Sequence, residues 1–497
     1  MVRILLWLFG ISFLASPQAE TGRLEIVVTE GGRPAACRIH LQAPGGKFIK
    51  APGLPNWNDH FVCDGGVQLD LPPGRYRLEV EKGPEHSAHA DDIDIAAGGA
   101  KKVAVELKRL VNLSGEGWWS GELHVHRPLA DVELLMRAED LHVAPVITWW
   151  NNTDLWRGKE LPSPLQVRFD GDRFYHVMGG EDEREGGALL YFDLPRPLAI
   201  TGSAREFPSP VQFLREARKT AGAHVDIEKP FWWDVPVWLA TGQVDTMGLA
   251  VNHFYRSGMM AKEAWGRPRA EQRLPPPLGI GHWVQEIYYH ALNCGLRIAP
   301  SAGSASGVLP NPVGYNRAYV HLDGAPSYER WMEGLRAGRS IITNGPLLRV
   351  KANGELPGHV FAAEKEISIE LAAVVEGRDP VEAIEIVRDG KIERKVPLKE
   401  GLGRLEFKAS GWFLLRCISP NEKTFRFAST APFYVEIGAQ RRRVSRGSAQ
   451  FFLDWVEERI ARVPLKLKDP KQLEEVLEPH QKAREFWKRL AETATSD

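Results

Sequence analysis

The chain has 497 residues, of which 43% are hydrophobic and 26% are charged, and its formal net charge is −1. This length supports two to four domains with apolar cores, and the near-neutral charge argues against nucleic acid as the main partner. No nucleophile elbow, phosphate-binding loop or dinucleotide fingerprint occurs in its required context. Serine-hydrolase, nucleotide and nicotinamide chemistry are therefore not indicated.

The first 22 residues have the pattern of a secretory signal. One Arg precedes an apolar stretch from Ile4 to Ala15, and small and polar residues follow, with cleavage expected near Ala19. The stretch is too short for a comfortable membrane span. We predict a secreted or periplasmic protein with no stable membrane span after cleavage, and an uncleaved anchor is the alternative.

Residues 23–110 alternate apolar and polar side chains between Gly/Pro turns, which predicts a small β-sandwich. The element PPGRYRLEV resembles the carboxypeptidase-regulatory-like modules that often precede exported enzymes. In an exported protein Cys37 and Cys63 could form a disulfide, and two buried free thiols are the alternative. No C-x-x-C spacing indicates a cysteine zinc site.

From residue 111 to 345, strand-like runs alternate with helical patterns. ELHVH precedes the helical DVELLMRAEDL, where Asp131 is a candidate cap. VAPVITWW, FYHVMGGE, GAHVDI, TMGLAVNH and LRIAPSAG are further strand candidates. Repeated strand–helix units predict parallel strands, most plausibly a barrel. The chemistry of such barrels lies at the carboxyl ends of the strands.

Residues 346–440 return to strand patterns and predict a second β-sandwich with immunoglobulin-like architecture. Residues 441–497 form a helical tail in which Asp469 and Pro470 begin a helix, and Pro479 is expected to break or kink it. The predicted fold class is therefore multidomain, with an α/β barrel between two β-sandwiches and a helical tail at the end.

The most informative stretch is WWSGELHVHRPLADV, residues 118–132. Side chains two apart on an extended strand point the same way, so His124 and His126 share one face. Two imidazoles side by side can hold one metal ion. The alternative is a pair of ordinary polar residues on a half-exposed strand.

Further metal-type residues fall at or near the other predicted strand ends. Glu181 ends one strand, His224 lies in another and His253 follows a third. Imidazoles with a carboxylate match zinc, manganese or iron, and a bridging Glu181 would permit two ions. Asp226 shares a strand face with His224, where it could orient an imidazole or be a solvated acid.

Residues 111–345 resemble the PHP superfamily (polymerase and histidinol phosphatase) in its carbaryl-hydrolase-like (CehA/McbA) branch. The motifs that carry the resemblance are GELHVHR, AEDLHVAPVIT, GGEDE, GAHVDIEKP and LNCGLRIAPSAGSASG. The resemblance implies a distorted (β/α)7 barrel and a metal-dependent hydrolase. By motif match, His124 and His126 correspond to the opening metal-binding pair, Glu181 to the bridging carboxylate and His224 to a later metal-binding histidine.

The chain also departs from the family pattern. The second motif usually reads like T-D-H-N, but here it is Thr148-Trp149-Trp150-Asn151. The closing motif usually reads like G-S-D-x-H, but residues 303–307 read GSASG. A full three-metal site is therefore not expected. One or two divalent ions remain, with His253 or His282 as substitute ligands; His290 is expected to be a packing histidine.

Aromatic and basic residues beside the His pair suggest how a substrate is held. Trp149 and Trp150 end a predicted strand just before Asn151, so the two indoles point to opposite sides. One of them is expected to face a pocket that holds a sugar ring or aryl group. Arg127 could hold an anionic or carbonyl oxygen, or be a structural ion-pair partner.

Two functions of different class follow from these residues. The first is an exported metal-dependent hydrolase that uses a metal-activated water on an ester, amide, carbamate or phosphoester bond, with Glu181, Arg127 and Asp226 as candidate catalytic residues. The second is a catalytically degenerate binding protein whose Trp-rich pocket holds a glycan or aromatic ligand. A scaffold in which only the β-domains matter is a third reading. The substrate, the metal and the oligomeric state are not fixed by the sequence.

Overall fold

The computed structural model describes residues 20–200 and 202–497. The predicted signal segment, up to its cleavage point near Ala19, lies outside the described residues. Within the described residues, no helix combines the length and apolarity needed to cross a membrane. Separate hydrophobic cores lie in the N-terminal, central and C-terminal regions, and the chain is a multidomain, strand-rich mixed α/β protein.

Two packed sheets form the N-terminal domain. Its strands are β1 (Gly22–Glu30), β2 (Arg33–Pro34), β3 (Ala36–Gln42), β4 (Asn56–Trp57), β5 (His60–Asp64), β6 (Gly66–Leu71), β7 (Gly74–Glu81), β8 (His89–Ile95) and β9 (Ala100–Glu106). One sheet contains β2, β1, β6 and β9, and the other has the order β4-β5-β3-β7-β8. Leu24, Ile26 and Val28 of β1 are buried, with the two-residue period of a strand whose one face covers a core.

The two cysteines of this domain lie opposite each other on neighbouring strands. Cys37 of β3 pairs in register with Cys63 of β5, and their Sγ atoms are 3.7 Å apart as free thiols. The contact places both thiols in the core, where either the thiol pair or a disulfide would be shielded from solvent.

Strands and helices alternate in the central domain. Its strands are β10 (Trp118–Gly121), β11 (Val143–Trp150), β12 (Thr153–Asp154), β13 (Gln166–Phe169), β14 (Arg173–Arg184), β15 (Gly187–Phe192), β16 (His224–Ile227), β17 (Thr246–Ala250), β18 (Phe254–Tyr255), β19 (Gly258–Met259), β20 (Ala299–Ala302), β21 (Arg317–His321) and β22 (Ser340–Thr343). Its helices are α1 (Val132–Ala138), α2 (Pro210–Ala217), α3 (Val235–Thr241), α4 (Gly279–Asn293) and α5 (Tyr328–Arg336). Ser209 and Ser327 cap α2 and α5, whereas Asp131 makes no side-chain cap bond to α1.

The pairings of these strands form a closed circuit. β10 is parallel to β11, and β11 to β14. β15 is antiparallel to both β14 and β16, while β16, β17 and β20 are again parallel. The segment after β10 then meets the chain at and after β20, because the N–H groups of Leu123 and His126 donate to the carbonyls of Ala302 and Ser306. The carboxyl ends of the parallel strands therefore lie at one edge of the circuit.

Two further sheets form the C-terminal domain. Its strands are β23 (Leu347–Ala352), β24 (Val360–Ala363), β25 (Ile367–Glu376), β26 (Ala383–Arg388), β27 (Lys391–Pro397), β28 (Arg404–Phe407), β29 (Gly411–Ile418), β30 (Phe427–Thr430) and β31 (Phe433–Ile437). One sheet is β23-β25-β28, and the other includes β24, β31, β29, β26 and β27. β30 pairs with both β29 and β22, so this second sheet continues into the central domain.

The tail consists of helices α6 (Arg446–Lys466) and α7 (Pro470–Glu492), which pack on each other and on α3. The side chain of Asp469 accepts from Gln472 N–H, and Pro470 occupies the first turn, as the sequence predicts. The sequence predicts that Pro479 breaks or kinks the helix; α7 runs through Pro479 without ending there, so the break is wrong and the kink stays a prediction. Packing supplies the reason, since Pro479 and the nearby Ala483 and Trp487 are buried.

Candidate metal centre

His124 and His126 follow β10 at the carboxyl edge of the strand circuit, where their rings turn toward each other. Their Nε2 atoms are 2.9 Å apart. Glu181, near the end of β14, brings Oε2 to 3.5 Å from His124 Nε2 and 3.1 Å from His126 Nε2. All three side chains are buried. Strand geometry thus brings two imidazoles and one carboxylate, far apart in sequence, to one point.

The donor set fits a divalent metal ion. Four tetrahedral ligand atoms at zinc distances are about 3.3 Å from one another, close to the 2.9, 3.1 and 3.5 Å separations of these three atoms. Imidazole and carboxylate ligands suit zinc, manganese and iron. Among the described residues, one other group has comparable geometry, formed by His40, Asp59 and His60 in the N-terminal domain.

The side chains of the cluster strongly shift one another's pKa values. Burial opposes protonation of His124, but Glu181 and Glu228 raise its pKa to about 10. Burial would raise the pKa of Glu181, yet the two imidazoles hold it well below its usual range. Burial and the neighbouring His124 lower the pKa of His126. The metal-free cluster is therefore a cationic His124 between carboxylates, with a neutral His126 beside it.

Glu228 is the functional residue that the sequence interpretation missed. Its Oε1 lies 3.2 Å from His124 Nδ1, on the side of the ring opposite Glu181. Lys229 and Asn252 both donate to this same oxygen, and the Lys229 ammonium also lies 4.6 Å from the centre of the Trp232 ring. A carboxylate at the outer nitrogen fixes the orientation of a metal-binding imidazole. Glu228 directly follows the last residue of β16, so the strand-end rule could have found it.

The structure does not bring His224 to this group. His224 begins β16, and the four residues of that strand span about 10 Å, so its ring lies toward the opposite edge of the circuit. There its Nε2 is 2.8 Å from Thr246 Oγ1, and burial lowers its pKa to about 4. The prediction that His224 is a metal ligand of this cluster is therefore wrong. The reason is strand direction, because His224 lies at the amino end of β16 and the cluster lies at the carboxyl end.

Asp226 lies between the two edges. Its Oδ1 accepts from Thr246 Oγ1 at 2.6 Å and from Ser301 Oγ at 2.5 Å, and burial raises its pKa to about 6. Both of these donors are hydroxyl groups, and Thr246 Oγ1 also lies 2.8 Å from His224 Nε2. Asp226 therefore contacts His224 only through the Thr246 hydroxyl and not directly.

The candidate substitute ligands His253 and His282 are also outside the cluster. His253 is buried against Phe231, and burial together with Lys229 holds its pKa well below the usual range. His282 packs edge-on against Phe425 at the boundary with the C-terminal domain. His290 stacks on Phe451 and bonds Ser448, which confirms it as a packing histidine.

The two tryptophans that end β11 have different environments. Trp149 is buried and stacks on Tyr191 in the core. The partly exposed Trp150 meets the His126 ring edge-to-face, with centroids 5.0 Å apart. Asn151, at a φ of +47°, accepts a bond from Glu183 N–H and donates its own N–H to the Glu181 carbonyl. Of the two tryptophans, Trp150 is therefore the one whose indole contacts the cluster. Asn151 is hydrogen-bonded to β14, the strand that contains Glu181.

Arg127 connects the cluster's strand to the N-terminal domain. Its Nη2 donates to the carbonyl of Asn56 at 3.1 Å, and its guanidinium lies 5.4 Å from the centre of the Trp57 ring. Trp57 in turn donates its indole N–H to the carbonyl of Leu309 at 2.7 Å. Asp131 is 3.8 Å from Arg127, a weaker contact. The β4–β5 hairpin thereby reaches the carboxyl edge of the central domain.

The closing segment of the central domain packs directly on the His pair. A Cβ added to Gly303 would lie 2.5 Å from His124 Cβ, and one added to Gly307 would lie 2.4 Å from the His126 carbonyl. The backbone of the buried Ser306 forms a parallel β-bridge with Val125. Residues 303–307 therefore touch the cluster through backbone and small side chains instead of metal ligands.

Comparisons with known proteins assign neither a family nor a function. No family model and no curated protein matches the chain. A minor pilin of Streptococcus agalactiae is 20% identical over 19% of this chain and 46% of the pilin, with a TM-score of 0.16. The Bacillus anthracis TIE protein is 20% identical over 22% of this chain and 20% of its own, with a TM-score of 0.15. A β-glucuronidase of Bacteroides uniformis is 10% identical over 82% of this chain and 60% of the enzyme, with a TM-score of 0.15. The chain thus spans less than half of the pilin and a fifth of the TIE protein, and similarities this weak carry no argument.

Proposed function

We propose that the protein is a divalent-metal-dependent hydrolase acting on an ester, amide, carbamate or phosphoester bond. The observation that carries this proposal is the convergence of His124 Nε2, His126 Nε2 and Glu181 Oε2 in a buried site. Buried imidazoles and carboxylates are costly to desolvate, and a bound cation offsets that cost. Zinc, manganese and iron all suit this donor set.

The PHP-like barrel is part of the same proposal. Its support is the closed circuit of strands, in which one strand runs antiparallel to its neighbours, together with ligands at the carboxyl edge. The resemblance implies that His124, His126 and Glu181 are metal ligands, and the proximity of these three side chains supports that proposal. With the family acids and histidines absent from residues 148–151 and 303–307, we propose one ion, or two at most.

Each residue around the cluster has a distinct role in the proposed reaction. A divalent ion held by His124, His126 and Glu181 would polarise a carbonyl or phosphoryl oxygen and lower the pKa of water. Glu228 orients the His124 ring, and Lys229 and Asn252 in turn hold Glu228. Trp150 shields His126 and offers an apolar face for the substrate. Export to the periplasm or the outside remains a prediction from the sequence.

Metal analysis of matched histidine variants tests the site. We expect the protein, purified without a His tag, to contain about one metal ion per chain, and His126→Gln and Glu181→Gln to contain almost none. His224→Gln is the control, since it alters a buried histidine of the same domain that lies away from the cluster and can keep its bond to Thr246. Absence of metal from the wild-type protein after reconstitution, or equal loss in folded His224→Gln, would contradict the assignment.

Turnover separates the hydrolase from its alternative. We expect hydrolysis of at least one substrate in a panel of nitrophenyl esters, carbamates and phosphoesters. Chelation should abolish that activity and added metal should restore it. A protein that binds metal but turns over no member of the panel would contradict the hydrolase and favour the second function.

The second function is a binding protein with a degenerate site, and one observation favours it. The metal-free cluster balances much of its own charge, because a cationic His124 lies between Glu181 and Glu228. A glycan or aryl group stacked on Trp150 would then be the ligand. Quenching of tryptophan fluorescence by an oligosaccharide or aryl ligand, lost in Trp150→Ala and retained after chelation, would support this function.

A further inference from the structure

Five arginines, contributed by three domains, line one cavity. In the sequence these arginines are far from His124, His126 and Glu181. We name this group the arginine junction; its members are Arg38 of the N-terminal domain, Arg256 and Arg317 of the central domain, and Arg378 and Arg426 of the C-terminal domain. The cavity they surround measures about 30 Å³. A single water needs about 10–15 Å³ by this measure, so the space admits a group of a few heavy atoms.

Positive charge is in excess at the arginine junction. Three carboxylates also line the cavity, and they belong to Glu81, Glu139 and Asp379. Glu79, just outside, contacts Arg256. Four carboxylates therefore face five guanidinium groups.

Several guanidinium donors at the junction have no partner among the described residues. They are Arg317 Nη1, Arg378 Nη1 and Arg426 Nε, each buried. Arg317 is 1% exposed, and its other nitrogens donate to the carbonyls of Gly314 and Glu139. A buried charged donor without a partner carries a desolvation cost that no hydrogen bond offsets. Such donors on three separate side chains point to an acceptor that the protein itself does not supply.

We propose that the arginine junction binds one small tetrahedral oxyanion, such as phosphate or sulfate, which joins the three domains. Guanidinium groups match the oxygens of such an anion with two parallel donors each. A nucleotide or sugar phosphate is too large for the cavity. This site is independent of the proposed metal chemistry, and either can fail without the other.

Ion-pair connections within the junction link the domains even without an anion. Arg38 donates to Glu81 and Glu139, which joins the N-terminal and central domains. Arg378 donates to Glu81 at 3.0 Å, which joins the C-terminal and N-terminal domains. A bound oxyanion would add a further connection at the same point, so its binding should raise the unfolding temperature of the whole chain.

Equilibrium dialysis of the full chain with radiolabelled sulfate tests the proposal. We expect about one saturable site per chain, displaced by phosphate but not by chloride at equal ionic strength. Thermal unfolding should show a saturable rise of about 2–4 °C with sulfate. General salting effects of sulfate rise without saturation, which separates them from site binding.

Arginine variants locate the site. We expect Arg378→Gln to weaken sulfate binding at least tenfold, and its fold should survive because Glu81 keeps Arg38 and Arg256. Arg426→Gln is a second variant should the first not fold. Arg349→Gln is the matched control, since Arg349 lies in the same domain as Arg378 but outside the cavity wall, where it pairs with Glu376 and with Glu116 of the central domain. Non-saturable sulfate binding, or equal binding by wild-type and a folded junction variant, would overturn the proposal.

Discussion

At the scale of single residues, the site follows from side-chain alternation and strand direction. His124 and His126 follow β10 and turn their rings to the same point, as their spacing predicts, although the strand ends before them at Gly121. Glu181 meets them because its strand ends at the same edge. The motif match that assigns His224 as a metal ligand takes no account of its position along the strand. Because β16 begins at His224 and Glu228 directly follows its end, the carboxylate reaches the site and the imidazole does not.

The pKa of His124 predicts how metal affinity depends on pH. In the metal-free protein Glu181 and Glu228 raise this pKa to about 10, whereas that of His126 is lowered. A metal ion binds neutral imidazole, so between pH 6 and 8 binding must release one proton, from His124. We expect the apparent affinity to rise about tenfold per pH unit in this range. Competition titrations at pH 6, 7 and 8 measure the slope, and a slope near zero would contradict the protonated His124.

Glu228 gives a second prediction at this scale. Removing its charge should leave the three ligands in place but loosen the His124 ring. We expect Glu228→Gln to weaken metal binding about 10–100-fold and to flatten the pH dependence. Asp226→Asn is the control, because an amide oxygen can still accept from Thr246 and Ser301. Equal affinities of Glu228→Gln and the wild-type protein, measured with a fluorescent metal indicator, would count against this role.

At the scale of secondary-structure elements, the helical tail is attached to the central domain by a buried charge network. Arg459 of α6 donates to Asp234 and Glu206, and His480 of α7 lies 3.1 Å from the same Asp234. The helical character of the tail and the start of α7 at Asp469 and Pro470 are visible in the sequence. Their docking is not, because the acidic partners lie more than 200 residues earlier.

Asp234→Asn tests this attachment. Burial opposes ionisation, but Arg459 and His480 hold the pKa of Asp234 below its usual range. A depressed acid stabilises the fold at pH values above its unfolded pKa, near 4, and this contribution is lost as the pH falls through the folded pKa. We expect the variant to lose about 2 kcal/mol of stability at pH 7 and less at pH 3. Denaturant unfolding at both pH values checks this, with the exposed Arg484→Gln on α7 as a control.

At the scale of the whole molecule, the order of domains could be predicted but not their contacts. The change from strand-only to strand–helix patterns marks the central domain, and the sequence shows it clearly. The arginine junction cannot be found in this way, since Arg38, Arg256 and Arg378 are separated by more than 100 residues and have no shared motif. The same holds for Trp57, which the sequence interpretation left unassigned and which contacts Leu309 and Arg127.

Trp57 variants test the contact between the N-terminal and central domains. We expect Trp57→Ala to increase hydrogen exchange in residues 305–313 and in the β4–β5 hairpin, because both an indole bond and an aromatic contact are lost. Trp57→Phe should have an intermediate effect, since it keeps a ring beside Arg127. The metal content should stay unchanged in both variants. Unaltered exchange in Trp57→Ala would show that this contact contributes nothing to domain attachment.

Because the β4–β5 hairpin contacts the central domain, removal of the N-terminal domain would change the surface of the central domain. A shortened chain that starts near residue 111 would lose the tryptophan beside Arg127 and leave the rim around Leu309 bare. For the proposed hydrolase, such a chain should accept larger substrates than the full-length protein does. Replacing the N-terminal domain with an unrelated one should likewise change which substrates the proposed enzyme accepts, even with His124, His126 and Glu181 unchanged.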